Sequence, residues 1–157
     1  MIAFKFIIIA VISYLLGSLN FGVILSRGMK NEDVRESGSG NAGTTNMMRT
    51  YGKTLGLLTI AGDILKVIIA IWLAFRIVSV EELKMTLDSA SDYPQVVLKS
   101  LAGLFAVLGH IFPCYFKFKG GKGVATSGGM VIAIDWRIAL ILLAIFALTI
   151  LITKYVS

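Results

Sequence analysis

The densest grouping of polar and flexible residues in this 157-residue chain is Arg35-Glu36-Ser37-Gly38-Ser39-Gly40-Asn41-Ala42-Gly43-Thr44-Thr45-Asn46, followed by Arg49. Glycine permits positive φ and close backbone approach. Successive N–H groups in such a loop can form a nest for an anion. Ser39, Thr44 and Thr45 add hydroxyl donors, Asn41 and Asn46 add amide donors, and Arg49 adds a planar fork suited to phosphate or carboxylate. A helix starting near Thr44 would contribute its N-terminal dipole. Gly38 and Gly43 have the separation of the Walker A glycines, but Thr44 stands where that loop requires Lys. The alternative is a flexible linker with a helix cap. Two Asn, two Thr and an Arg in one short run favour the anion site.

A second run, Phe116-Lys117-Phe118-Lys119-Gly120-Gly121-Lys122-Gly123-Val124-Ala125-Thr126, places three lysines and three glycines directly before an apolar segment. Here too a helix N-terminus would face an anion. The competing reading is a basic loop touching lipid headgroups. Two such loops on one face of a membrane favour a shared site for phosphorylated ligands. His110, the only histidine, lies just before this run and either accepts a proton, orients a phosphate or is structural. Asp63 and Lys66 lie at i, i+3 inside an apolar stretch, so they can pair on one helix face. For Lys66 a buried structural pair is favoured over contact with a ligand. Gly17-Ser18-Leu19-Asn20-Phe21-Gly22 reads as a close-packing segment, with Asn20 as interhelical glue.

These residues must be held by elements that cross a bilayer. Hydrophobic residues make up 57% of the chain and charged residues 15%, with a mean hydropathy of +0.85. One soluble core of this size cannot hide that much apolar surface. A disulfide scaffold is excluded by the single cysteine, Cys114. The excess of 15 Lys+Arg over 9 Asp+Glu reads as positive-inside bias and anionic ligands, not as a nucleic-acid partner. The expected fold is all-α: one membrane domain over 1–157, a polytopic bundle of about five spans. These are 2–26, 55–80, 96–116, a short 124–134, and 137–156. The first run is too long for a cleaved signal's apolar region and lacks an A-x-A site. Basic segments 27–54, 117–123 and the tail alternate with the acidic 81–95, which includes Asp88 and Asp92. That alternation puts the N-terminus outside and both glycine-rich loops in the cytoplasm; the basic tail joins them there if 124–134 crosses, and a re-entrant 124–134 would turn the C-terminal end outward.

Taken together, Gly17–Gly22, Gly38–Asn46 with Arg49, the Asp63–Lys66 pair, and Gly109-His110-Ile111-Phe112-Pro113 through Thr126 resemble the bacterial PlsY-type glycerol-3-phosphate acyltransferases, in order and spacing. The resemblance implies a multi-pass enzyme of the bacterial inner membrane. It would transfer an acyl group from acyl phosphate to the sn-1 hydroxyl of glycerol 3-phosphate, giving lysophosphatidic acid and phosphate. By the family pattern Ser39 and Arg49 serve activity, and Gly120–Gly123 with Lys122 resembles the phosphate-binding loop. The His-x-x-x-x-Asp motif of other acyltransferases is absent.

The chemistry read from the residues is compatible with this. Acyl phosphate is already activated, so no metal, cofactor or covalent nucleophile is required. Holding two anions together and aligning hydroxyl with carbonyl are the main tasks. His110 or a substrate phosphate oxygen would take the hydroxyl proton. In the family two further spans and a His-Arg-x-Asn-type motif usually follow, so lower activity is expected of these 157 residues. The alternatives are a small organic-phosphate transporter and a noncatalytic lipid-binding membrane module.

Overall fold

The computed structural model of the chain describes residues 2–86 and 94–154. Asp88 and Asp92 of the expected acidic loop lie outside them. Among the described residues the regular elements are all helices: α1 (Ile2–Gly17), α2 (Phe21–Lys30), α3 (Thr44–Tyr51), α4 (Lys53–Ile77), α5 (Val80–Thr86), α6 (Pro94–Ile111), α7 (Val124–Ile134) and α8 (Trp136–Thr153). Single 3-10 turns occur at Val34–Glu36 and Cys114–Phe116. Among the described residues, four stretches are long and apolar enough to cross a membrane: Ile2–Lys30, Lys53–Ile77, Pro94–Phe116 and Trp136–Thr153. The eleven residues of α7 reach only about 16 Å at 1.5 Å per residue.

The first span is not one continuous helix. The chain leaves α1 at Gly17 and re-enters helix at Phe21. Asn20 is extended, and its side-chain oxygen accepts from the Val23 amide at 3.3 Å. Thus Asn20 is a helix cap within the span, where the sequence suggested interhelical glue. The break frees the Leu19 carbonyl, which a buried lysine takes up, as described below. Breaks in a membrane helix persist where other groups satisfy the freed backbone.

Small residues set the packing. A Cβ at Gly17 would overlap the Ala106 backbone, and one at Gly109 would overlap the Tyr14 carbonyl, so α1 and α6 meet nearly backbone to backbone. Ile9, Val67, Ala70, Ala74, Leu98, Ala102 and Ala106 form the core among α1, α4 and α6. A second cluster, Val23, Val34, Ala42, Met47 and Leu55, lies under the first glycine-rich loop. α8 is different: none of its residues is buried, and its leucines and isoleucines, half-buried Ile150 apart, are exposed all round. Such a surface is stable in lipid and costly in water. Asp135 starts α8 as a cap, accepting from the Arg137 amide at 2.8 Å.

Candidate active site

The loop before α3 is wound around Asn46. This buried side chain donates to the carbonyls of Val34 (3.0 Å), Ser37 (3.0 Å) and Asn41 (2.9 Å). Its oxygen accepts from the Ser39 amide at 2.9 Å. Gly38 and Gly40 have φ of +60° and +71°, which side-chain-bearing residues rarely adopt. A Cβ at Gly38 would also overlap the Asn46 oxygen. Asn41 accepts from the Gly43 amide (2.9 Å), and the Gly40 amide donates to the Ser37 carbonyl (3.1 Å).

The bare-amide nest expected from the sequence is therefore largely closed. The amides of Ser39, Gly40 and Gly43 are engaged, and the Asn46 amide group holds the loop and is not a free donor. What remains open is the N-terminus of α3, the first-turn amides of Thr44, Thr45 and Asn46. The Thr44 hydroxyl is buried without a protein partner.

The lysine–glycine loop is pinned to the end of α6. Gly120 N–H donates to the Ile111 carbonyl (3.1 Å) and Gly121 N–H to the His110 carbonyl (3.2 Å). A Cβ at Gly120 would overlap the His110 carbonyl, and one at Gly121 would overlap His110 Nε2. These two glycines allow the loop to lie on the histidine. Gly123, at φ +80°, turns the chain into α7. The Tyr14 hydroxyl braces the loop from α1 by donating to the Phe112 carbonyl at 2.7 Å.

Both loops face one cavity of about 230 Å³. Ser39, Asn41, Gly43, Thr44, Thr45 and Asn46 line it from the first loop, and Lys122 and Gly123 from the second. His110 lines its floor with Asp63. Ile60, Val124, Ala125 and Phe146 supply an apolar wall. The other residues expected at the site stand back from it. Gly38, Gly40, Gly120 and Gly121 shape the loops, and Lys119 offers its carbonyl to Arg35 at 2.9 Å. Thr126 is buried in α7, its hydroxyl without a partner. Arg49 is exposed on α3, outside the lining. No periodic signal in the sequence points to Phe146, which comes from a uniformly apolar helix.

Beneath the cavity lies a buried polar triad. Lys66 Nζ donates to the Leu19 carbonyl at 2.9 Å and to His110 Nδ1 at 2.8 Å. It also sits 2.9 Å from Asp63 Oδ1. That contact is an ion pair lying off the hydrogen-bonding axis, since Oδ1 lacks a geometrically good donor. Asp63 Oδ1 is 3.4 Å from His110 Nδ1. The three side chains are 1–3% exposed. With Lys66 as an ammonium, which has no lone pair, Nδ1 is the acceptor of this contact and Nε2 is left as the ring's N–H edge. Among the described residues, no three His, Cys, Asp or Glu side chains lie close enough to hold a metal ion.

The model of the family described as glycerol-3-phosphate acyltransferase matches residues 7–157. The chain belongs to the glycerol-3-phosphate acyltransferase family. It is 46% identical over 145 residues to the glycerol-3-phosphate acyltransferase of Ureaplasma urealyticum, covering 92% of this chain and 57% of that relative. It is 44% identical over 149 residues to the enzyme of that name from Pseudomonas fluorescens, covering 95% and 71%. The chain thus spans little more than half the length of the first of these family members. In three dimensions it is similar to the crystal structure of PlsY (YgiH), an integral membrane glycerol 3-phosphate acyltransferase, in its glycerol 3-phosphate form. The TM-score is 0.74 at 36% identity, over 93% of this chain and 66% of that one. The lysophosphatidic acid form of PlsY gives a TM-score of 0.71 at 34% identity. The resemblance seen in the motifs is thereby borne out, as is the all-helical membrane fold.

Proposed function

We propose that the chain transfers an acyl group from acyl phosphate to the sn-1 hydroxyl of glycerol 3-phosphate, at the cavity between the two glycine-rich loops. The observation that carries this is the convergence of Ser39, Thr44 and Lys122 with the apolar side chains Ile60, Val124 and Phe146 on a single cavity. One end suits phosphate and the other an acyl chain, and crystal forms of PlsY with glycerol 3-phosphate and with lysophosphatidic acid support the same pairing. The basic loops are read as cytoplasmic from the distribution of Lys and Arg.

The hydroxyl oxygen of glycerol 3-phosphate attacks the acyl carbonyl carbon. The new ester C–O bond forms as the C–O bond to phosphate breaks, and the phosphate leaves with the electron pair. Lys122, the α3 first-turn amides and the Thr44 hydroxyl stabilise phosphate charge, including that growing on the leaving group. Ser39 orients a phosphate oxygen, and Arg49, exposed on α3 beside the loop, supplies a second positive charge. Because Lys66 occupies His110 Nδ1, the histidine serves by orientation, and a phosphate oxygen of the substrate takes the hydroxyl proton. Confining both anions within one cavity contributes through proximity.

The test is product formation by the purified chain in detergent, with acyl phosphate and glycerol 3-phosphate. Lysophosphatidic acid and phosphate appearing only when both substrates are present supports the reading. Vesicle uptake of glycerol 3-phosphate without product would replace it with transport. Headgroup binding alone would replace it with a lipid-binding module.

A further inference from the structure

We infer that Arg35 is a positioning residue that clamps the loop carrying Ser39 to the loop carrying Lys122 and sets the distance between them. Arg35 lies outside the cavity lining. Its Nε and Nη2 grip Asp33 at 2.9 and 2.7 Å. Its Nη1 donates to the carbonyls of Phe116 and Lys119, both at 2.9 Å. Four of the roughly five guanidinium N–H donors are thus directed. Two fix the group to its own loop, and two reach a loop more than 80 residues away.

The partners are placed where small displacements matter. Arg35 stands four residues before Ser39, and Lys119 three before Lys122. The Lys119–Gly120 peptide is held on both sides, its carbonyl by Arg35 and its N–H by the Ile111 carbonyl. Removing the guanidinium frees one side of that peptide. Asp33 keeps a partner, because Arg27 Nη2 also donates to it at 2.8 Å. The Arg35 side chain is 17% exposed, so water can reach the released carbonyls. The expected consequence is a shifted loop in a protein that still folds. Lysine cannot replace it, since one ammonium cannot grip a carboxylate side-on and span two carbonyls.

For its effect on turnover this inference rests on the function proposed above, so the experiment has two readouts. Arg35→Gln and Arg35→Lys are compared with the unaltered chain by KM and kcat, by thermal unfolding and by amide exchange of residues 117–123. Arg35→Gln is expected to raise KM for glycerol 3-phosphate about tenfold or more. kcat should fall less, the unfolding midpoint should drop only by the part of the Asp33 pairing that Arg27 does not retain, and the Gly120 and Gly121 amides should exchange faster. Arg35→Lys recovers the charge but only part of KM. An unchanged KM, or losses of KM and kcat that merely track loss of folded protein, overturns the positioning role. If the unaltered chain neither turns over nor binds glycerol 3-phosphate, the functional reading fails. The clamp is then judged by exchange alone, and unchanged exchange at Gly120 and Gly121 refutes it.

Discussion

Lys66 Nζ donates to His110 Nδ1 across 2.8 Å, joining α4 to α6 through side chains 44 residues apart in sequence. The same ammonium caps the Leu19 carbonyl left free by the break in the first span. One buried charge therefore stabilises the helix break, pairs with Asp63 and sets the protonated edge of the only histidine. That edge, Nε2, faces Gly121 of the lysine–glycine loop.

Lys66→Met should destabilise the protein by about 3–5 kcal/mol, because it leaves a buried carboxylate unpaired. Asp63→Leu added to Lys66→Met should recover much of that loss, though the Leu19 carbonyl stays unsatisfied. Chemical unfolding in detergent measures both. A double variant no more stable than Lys66→Met would show that the pair is not the source of the cost.

Lys122→Ala should lower kcat/KM by about 100-fold through lost phosphate stabilisation, with little effect on stability, since Lys122 is exposed. Steady-state kinetics with each substrate varied in turn locates the loss. Unaltered kinetics would remove Lys122 from the proposed phosphate site.

Gly120→Ala and Gly128→Ala should behave oppositely. A Cβ at Gly120 meets the backbone carbonyls of His110 and Ile111, whereas one at Gly128 meets nothing within 4 Å. The first is expected to cost about 1–3 kcal/mol through overpacking. The second should be neutral, or stabilising by up to about 1 kcal/mol through helix propensity. Thermal midpoints of the two variants, measured side by side, decide this.

The Arg35 guanidinium beside Asp33, aided by Arg27, holds that carboxyl well below the usual carboxylate range. A carboxylate whose folded-state pKa is depressed contributes stability that is complete above its unfolded value, about 4. That contribution is lost as pH falls below this value and through the folded pKa. Asp33→Asn should therefore lower stability at neutral pH and flatten the acid limb of the stability profile. An acid limb identical to that of the unaltered chain would show that Asp33 does not contribute to it.

Much of the architecture and half of the site were legible along the chain. Hydropathy marks the long helices, because about 20 apolar residues are what a bilayer demands. Thr44 starts α3 directly after Gly43, a loop-to-helix boundary that composition alone locates. The i, i+3 spacing of Asp63 and Lys66 brings them together on any helix. The break at 18–20 was less visible, since hydropathy averages over a window longer than the three residues involved. Asn46 was equally ambiguous: an amide has the same donors whether it holds a ligand or its own loop.

By itself, then, the order of residues determined a helical membrane chain with two glycine-rich cationic loops and a buried ion pair, because helix period, hydropathy and loop flexibility are properties of neighbouring residues. The tertiary structure alone decided that Lys66 meets His110, that Arg35 spans both loops, and that Phe146 closes the apolar wall. These contacts join distant segments through the packing of Gly17, Gly109 and Gly120 against foreign backbone, and no local periodicity encodes a distance between helices.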